Sequence, residues 1–302
     1  MVRDTVWEMQ TALRDFEQQE TLFVEANFMA RVQALDMLTV RVLEHIENVQ
    51  YVHGYHAELA HLYHCAERLW ERLHSVNTQL FHRLRGQLIT GHTTGLTLRH
   101  LCETYVGRIE EELTWEELDA DYLDVFVNGV LGIERAPEET KTLQPGMIGY
   151  YPTPARVIFA LIAHAHLSAH DVFYDLGAGL GRVALMVGLL TAAQARGIEY
   201  ESAYCAYAQE RAHSLHLSRV TFLNVDARQA DYMDGTVFFL YTPFTGSLLQ
   251  AVLARLYTEA RTRPITIATY GACTRDVAQQ PWLQPGVQRV FAHDTLALFT
   301  SC

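Results

Sequence analysis

From Asp4 to about Val106 the apolar residues recur at intervals of three and four, and no proline interrupts them. That period predicts helices. "RVQALDMLTVRVLEHI" puts Val32, Leu35, Leu38, Val42 and Ile46 on one stripe. "VHGYHAELAHLYHCAERLWERL" lines up Val52, Tyr55, Leu59, Leu62, Tyr63, Ala66, Leu69, Trp70 and Leu73, within about a third of the circumference at about 100° per residue. "LITGHTTG" breaks the pattern. Thr114 and Glu117 then form a Thr-x-x-Glu capping box for an amphipathic helix to about Leu131. The loop-rich "ERAPEETKTLQPGMIGYYPTP" contains four of the eight prolines and reads as a domain junction.

After the junction the period changes. Thr153-Pro154 reads as an N-cap followed by proline at the first helical position, starting a helix to about His166. "DVFYDLG" reads as a buried strand, "RVALMVGLLTAAQ" as a helix, "GIEYE" as a second strand and "AYCAYAQERAHSL" as a helix. "VTFLNVD" and "TVFFLY" are further strands, "GSLLQAVLARLYTEA" a helix and "PITIATYG" a fifth strand. "VQRVFAHDTLALFTS" reads as a terminal hairpin around His293-Asp294. Alternation of this kind implies an α/β fold: a doubly wound, mostly parallel sheet ending in an antiparallel hairpin. We expect an all-α N-terminal domain over residues 1–145 and a ligand-binding α/β domain over 146–302, with the ligand at the carboxyl ends of the strands.

Charge is unevenly placed. Residues 1–145 hold 12 Lys/Arg against 24 Asp/Glu, and residues 146–302 hold 11 against 11. An acidic half beside a neutral half argues against a nucleic-acid partner and accommodates a basic protein or a small molecule. The cluster Glu110–Glu112, Glu116, Glu117, Asp119, Asp121 and Asp124 reads as a solvated face, with attraction of a basic substrate as the functional alternative. Five cysteines without CxxC spacing fit reduced thiols in the cytoplasm. "MVRDTVWEMQ" lacks the apolar run of a secretory signal, and no apolar stretch is long enough for a membrane span. Lys141 is the only lysine.

The chemistry concentrates in "FYDLGAGLGRVAL". Gly177, Gly179 and Gly181 permit a tight turn and close approach of a ligand at a helix N-terminus. The spacing is GxGxG, with Arg182 where a dinucleotide fingerprint has its third glycine. Asp175 sits inside the turn, where a carboxylate repels a pyrophosphate and suits an ammonium. Glu199, ending the second strand, is placed to accept from ribose hydroxyls. Asp226, ending the third, is placed to accept from an adenine amino group, with Ala227 against the base.

These residues resemble the class I, seven-strand, Rossmann-like S-adenosylmethionine-dependent methyltransferases, whose glycine motif looks like "DLGAGLG" and whose strand-end acids look like Glu199 and Asp226. "GYYPTP" and "GIEYE" are similar to the non-SET histone lysine methyltransferases and related protein-lysine enzymes. The resemblance covers residues 146–302 and implies S-adenosyl-L-methionine as cofactor, bound by Tyr150, Thr153, Asp175, the three glycines, Glu199, Asp226 and Ala227. Tyr241-Thr242-Pro243-Phe244 departs from the pattern, since amine-methylating relatives often carry Asn or Asp before Pro-Pro. With Tyr151 these four residues are the expected catalytic pocket, whose aromatic rings can face a cation.

Three readings stay open: methyl transfer to an amine of a small molecule or protein; cyclisation of the cofactor to azetidine-2-carboxylate and methylthioadenosine; and cofactor binding without catalysis. His53, His56, His61 and His64 fall within about 140° of one helical face. No HExxH or paired-cysteine spacing accompanies them, so we expect a solvated or interhelical face and no metal. The helical half is expected to cover the active-site mouth or to form a homodimer.

Overall fold

The structure is a computed structural model and describes residues 2–90, 97–109, 122–291 and 294–302. The Thr114–Glu117 capping box, His293 and the acidic cluster apart from Asp124 lie outside the described residues. The chain divides into two compact units: residues 1–87 with 100–129, and residues 88–99 with 130–302.

The first unit is helical. Helix α1 spans Val2–Glu17 and α2 spans Phe28–Met37; a π-helical stretch, Leu38–Leu43, leads into α3, Glu44–His53. Then come α4 (Ala57–Thr90), α5 (Leu98–Tyr105) and α6 (Tyr122–Leu131). Leu38, Val42, Ile46, Leu59, Leu62, Ala66, Leu69 and Leu73 are buried together, as the stripes require. Val52 and Tyr55 are not: both are exposed, because Gly54 at φ +81° ends α3 before α4 begins. The single helix expected across residues 52–73 is therefore two. Arg31 is fully buried, with its guanidinium donating to Asn77 Oδ1 and to the carbonyls of Leu22, Val24 and Glu25. It satisfies carbonyls that the turn before α2 leaves open. Burial lowers its pKa, with the Glu25 charge opposing.

The second unit holds a seven-stranded sheet in the order β3-β2-β1-β4-β5-β7-β6. The strands are β1 (Val172–Leu176), β2 (Gln194–Glu199), β3 (Val220–Asn224), β4 (Val237–Tyr241), β5 (Thr266–Tyr270), β6 (Leu283–Phe291) and β7 (Asp294–Ser301). The first five pair in parallel; β7 runs antiparallel to β5 and β6 antiparallel to β7. All of β1 is buried, so both its faces are covered. Val172, Tyr174 and Leu176 pack with Leu249, Val252 and Leu256 of the helix Gly246–Ala260. Alternation leaves Phe173 and Asp175 to the other face.

Three boundaries differ from the sequence reading. Strand β2 begins at Gln194 because the preceding helix stops at Leu190. The helix after the junction, Ala155–Ala165, is capped by Pro154, and no side-chain bond caps it, so Thr153 is not its N-cap. A short helix, Cys273–Ala278, follows β5; no apolar period marks it in "GACTRDVAQQ".

Candidate active site

The strand order reverses between β1 and β4, and a cavity of about 600 Å³ opens there at the carboxyl ends of the parallel strands. The glycine turn forms its floor. Gly177 has φ +82° and a Cβ on it would lie 2.3 Å from Pro243 Cβ; Gly179 has φ +53° and a Cβ would lie 2.4 Å from the Tyr150 ring. No other residue type fits either place without moving the opposite wall. Gly181 is the N-cap of the helix that starts at Arg182, whose other residues carry no polar side chain.

Glu199 ties the turn to β2. Its Oε2 accepts from the Gly179 amide at 2.7 Å and its Oε1 from the Glu201 amide at 2.7 Å. Burial raises its pKa, against which the amides of Glu201, Gly179 and Tyr200 pull down. Asp175 lies deeper. It is almost completely buried, its Oδ2 has no partner among the described residues, and burial, then the Glu199 charge, push its carboxyl up to about 8. A buried acceptor with nothing to accept from is costly unless a ligand supplies the donor.

Asp226 stands just beyond β3. Arg228 grips it with Nε at 3.0 Å and Nη2 at 2.6 Å, which holds its carboxyl below the usual range. Arg228 also donates to Gln144 Oε1 at 2.6 Å, and Ala227 lines the wall beside it.

Of the residues expected from the sequence, Tyr150, Tyr151, Gly177, Gly179, Glu199, Asp226, Ala227, Tyr241, Thr242, Pro243 and Phe244 line this one cavity. Asp175 is not inside the turn as expected: it is a buried residue of β1, one position before the strand's end, and neither it nor Gly181 lines the cavity. Thr153 is off the wall: it is buried, and its carbonyl accepts from Arg182 Nη1 at 2.9 Å. His61 and His64 engage Cys65 and Glu67 instead of one another, and no group of three metal-ligating side chains comes together among the described residues.

The sequence reading missed the segment before residue 149 that lines the cavity on the side of Glu199 and Glu201. Glu201 accepts from the Thr140 amide at 2.9 Å, the Thr140 hydroxyl at 2.5 Å and the Lys141 amide at 2.7 Å. Burial would raise its pKa, but these bonds and the Ala203 amide outweigh that and hold it down at about 2. Glu139 accepts from the Tyr204 hydroxyl at 2.9 Å, and the Lys141 ammonium lies 4.7 Å from the Tyr200 ring centroid. Farther along, the Ile148 amide donates to the Pro243 carbonyl at 3.0 Å and the Thr245 amide to the Gly146 carbonyl at 2.7 Å. Residues 146–148 are thereby fastened to the turn after β4. A glutamate N-cap paired 60 residues upstream has no local signal.

Residues 149–240 match the model of a family described as histone methylation protein DOT1. The seven-strand order agrees with that match. The second unit has the fold of class I S-adenosylmethionine-dependent methyltransferases. The chain is also similar to an RNA methyltransferase from Salinibacter ruber solved with S-adenosyl-L-homocysteine. That match has 25% identity over 50% of this chain and 94% of that one, at a TM-score of 0.44. A SAM-dependent methyltransferase from Aquifex aeolicus matches at 14% identity over 50% of this chain and 94% of that one, at a TM-score of 0.42. No curated protein matches the chain.

The residues present fit the cofactor. The methyltransferase offers an unpartnered buried carboxylate, a turn with no room for Cβ atoms and acids at three strand ends. S-Adenosylmethionine carries an ammonium, a ribose diol and an adenine amino group to meet them.

Proposed function

We propose that the protein transfers the S-adenosylmethionine methyl group to an amine, on a small molecule or a basic protein. In this reading Asp175 pairs with the ammonium of the cofactor, Glu199 accepts from the ribose hydroxyls, and Asp226 accepts from the adenine amino group. Ala227 lies against the base. Tyr150 covers the glycine turn, and Thr153 supports it from beneath through Arg182. Tyr151 and Tyr241 to Phe244 form the acceptor end. The cofactor, when bound, supplies an electrophilic methyl group on a sulfonium. The residues around it align an acceptor lone pair with that methyl, exclude water and tolerate the loss of positive charge.

The observation that carries the amine reading is the charge of the cavity. Glu139, Glu199, Glu201, Asp226 and Asp294 line it, and no lysine or arginine does among the described residues. Such a wall raises the local concentration of cations and disfavours anionic acceptors. The helical unit, with most of the chain's acidic excess, is assigned the capture of a basic substrate or homodimerisation. The five cysteines form no disulfide among the described residues, which supports a reducing, cytoplasmic setting. No helix of the described residues is long and apolar enough to cross a membrane.

The test is product analysis. The protein is incubated with S-adenosylmethionine and a panel of amines, and the products are identified by mass spectrometry. S-Adenosylhomocysteine with a methylated amine supports the proposal. Methylthioadenosine formed without any acceptor would assign cyclisation instead, and an unchanged cofactor would assign binding alone.

A further inference from the structure

The turn after β4 raises a difficulty for any amine acceptor. Thr242 stands where a polar side chain would meet the acceptor nitrogen, yet it sits at φ +40° with its hydroxyl already committed. That hydroxyl donates to the Tyr270 carbonyl at 3.2 Å and accepts from the Cys273 amide at 3.2 Å. It therefore fastens the β4 turn to the β5 turn and has no hydrogen left for a ligand. Pro243 and Phe244 add no polar side chain.

The opposite side of the same cavity does supply one. Asp294, the first residue of β7, lines the cavity with Tyr151, Tyr241, Gly271 and Ala272. It is half-buried, and its carboxylate makes no hydrogen bond or ion pair with any described residue. The other four carboxylates on the wall are engaged: Glu139 by Tyr204, Glu199 by backbone amides, Glu201 by Thr140 and Asp226 by Arg228. Beside Asp294 stand aromatic rings. Tyr151 packs edge-on to Tyr241 at 6.1 Å between centroids, and Tyr241 leans on Tyr270 at 4.8 Å. Burial and then the negative charge of Asp294 push the Tyr241 hydroxyl up to about 12, so the phenol stays neutral and its ring keeps its negative face.

We infer that Asp294 is the specificity-determining counter-ion of the acceptor pocket, holding a protonated alkylamine between its carboxylate and the Tyr151 and Tyr241 rings; the nitrogen gives up one proton to solvent before its lone pair attacks the methyl group. This rests on the proposed amine acceptor, but it places recognition on the terminal hairpin instead of on the β4 turn. An uncharged acceptor of the same shape leaves the carboxylate without a partner and is discriminated against.

Binding, not turnover, tests it. Wild-type protein saturated with S-adenosylhomocysteine is titrated with n-butylamine and, separately, with 1-butanol, and contact is read by saturation-transfer NMR. The variants Asp294→Asn and Asp294→Glu are treated alike. The Asn variant should weaken butylamine binding by about fivefold, the loss of one half-exposed charge pair. Glu should retain most of the binding, and the butanol signal should not move. Unchanged S-adenosylhomocysteine affinity in both variants reports an intact fold. Equal butylamine binding by wild type and the Asn variant overturns the inference, as does a wild type that prefers butanol. No methyl transfer is needed for this readout, so a failure of the amine methyltransferase reading would appear separately, as absence of methylated amine in the product analysis.

Discussion

Asp175→Asn is expected to stabilise the protein while abolishing its cofactor binding. Burial, reinforced by Glu199, pushes the Asp175 carboxyl up to about 8, against about 4 in an unfolded chain. The folded pKa is raised, so folding takes up a proton anywhere between these values, and stability falls as pH rises through that window. At pH 7 the cost is about three pH units' worth, or about 4 kcal/mol; at pH 5 it is about 1 kcal/mol. Asparagine keeps the shape and removes the titration. It also buries an amide where Oδ2 already lacks a partner, which returns about 1–3 kcal/mol. The net gain at pH 7 is then about 1–3 kcal/mol, or several degrees at about 2–4 °C per kcal/mol for a unit of this size. Thermal unfolding of wild type and variant from pH 5 to pH 8 measures it: the variant's advantage should widen as pH rises. Added S-adenosylmethionine should raise the unfolding temperature of the wild type alone. A variant that unfolds earlier than wild type at pH 8, or a gap that does not change with pH, would refute the assignment of Asp175 as a strained, ligand-awaiting acid.

Other substitutions probe the rest of the site. Glu199→Ala removes the proposed ribose acceptor and the partner of the Gly179 and Glu201 amides; calorimetry should show S-adenosylmethionine binding weakened by at least about tenfold, the loss of one charged hydrogen bond. Gly177→Ala puts a Cβ 2.3 Å from Pro243 at φ +82°, and should lower stability by more than about 1 kcal/mol in denaturant unfolding. Glu201 is held at about 2, below its unfolded value, so its stabilisation is present above about pH 4 and fades as pH falls towards 2. Glu201→Gln should therefore flatten the acid limb of the stability profile and lower the limb above pH 6 without changing its slope.

What was legible in the sequence was what local chemistry encodes. The central strands of the second unit announce themselves as short apolar runs because β1 and β4 are buried on both faces. The glycine turn, Glu199 and Asp226 are readable because each sits at a strand end whose position follows from those runs. Features that depend on distant partners were not legible. Glu201 is a clamp only because Thr140 and Lys141 return to it, and Asp294 faces the cavity only because β7 inserts between β5 and β6. In the helical unit the period was right and its continuity wrong: Gly54 breaks the stripe, and Val52 and Tyr55 face solvent in consequence. Arg31 fell outside any apolar pattern and is nevertheless fully buried, since its guanidinium satisfies carbonyls that no helix reaches.

The most direct test of the account is a crystal structure of the protein grown with S-adenosylhomocysteine. The ligand should lie in the cavity at the β1–β4 switch, with its ammonium within hydrogen-bond distance of Asp175, its ribose diol on Glu199 and its sulfur facing Tyr241 to Phe244. A ligand bound elsewhere, or one seated with its amino group away from Asp175, would contradict it.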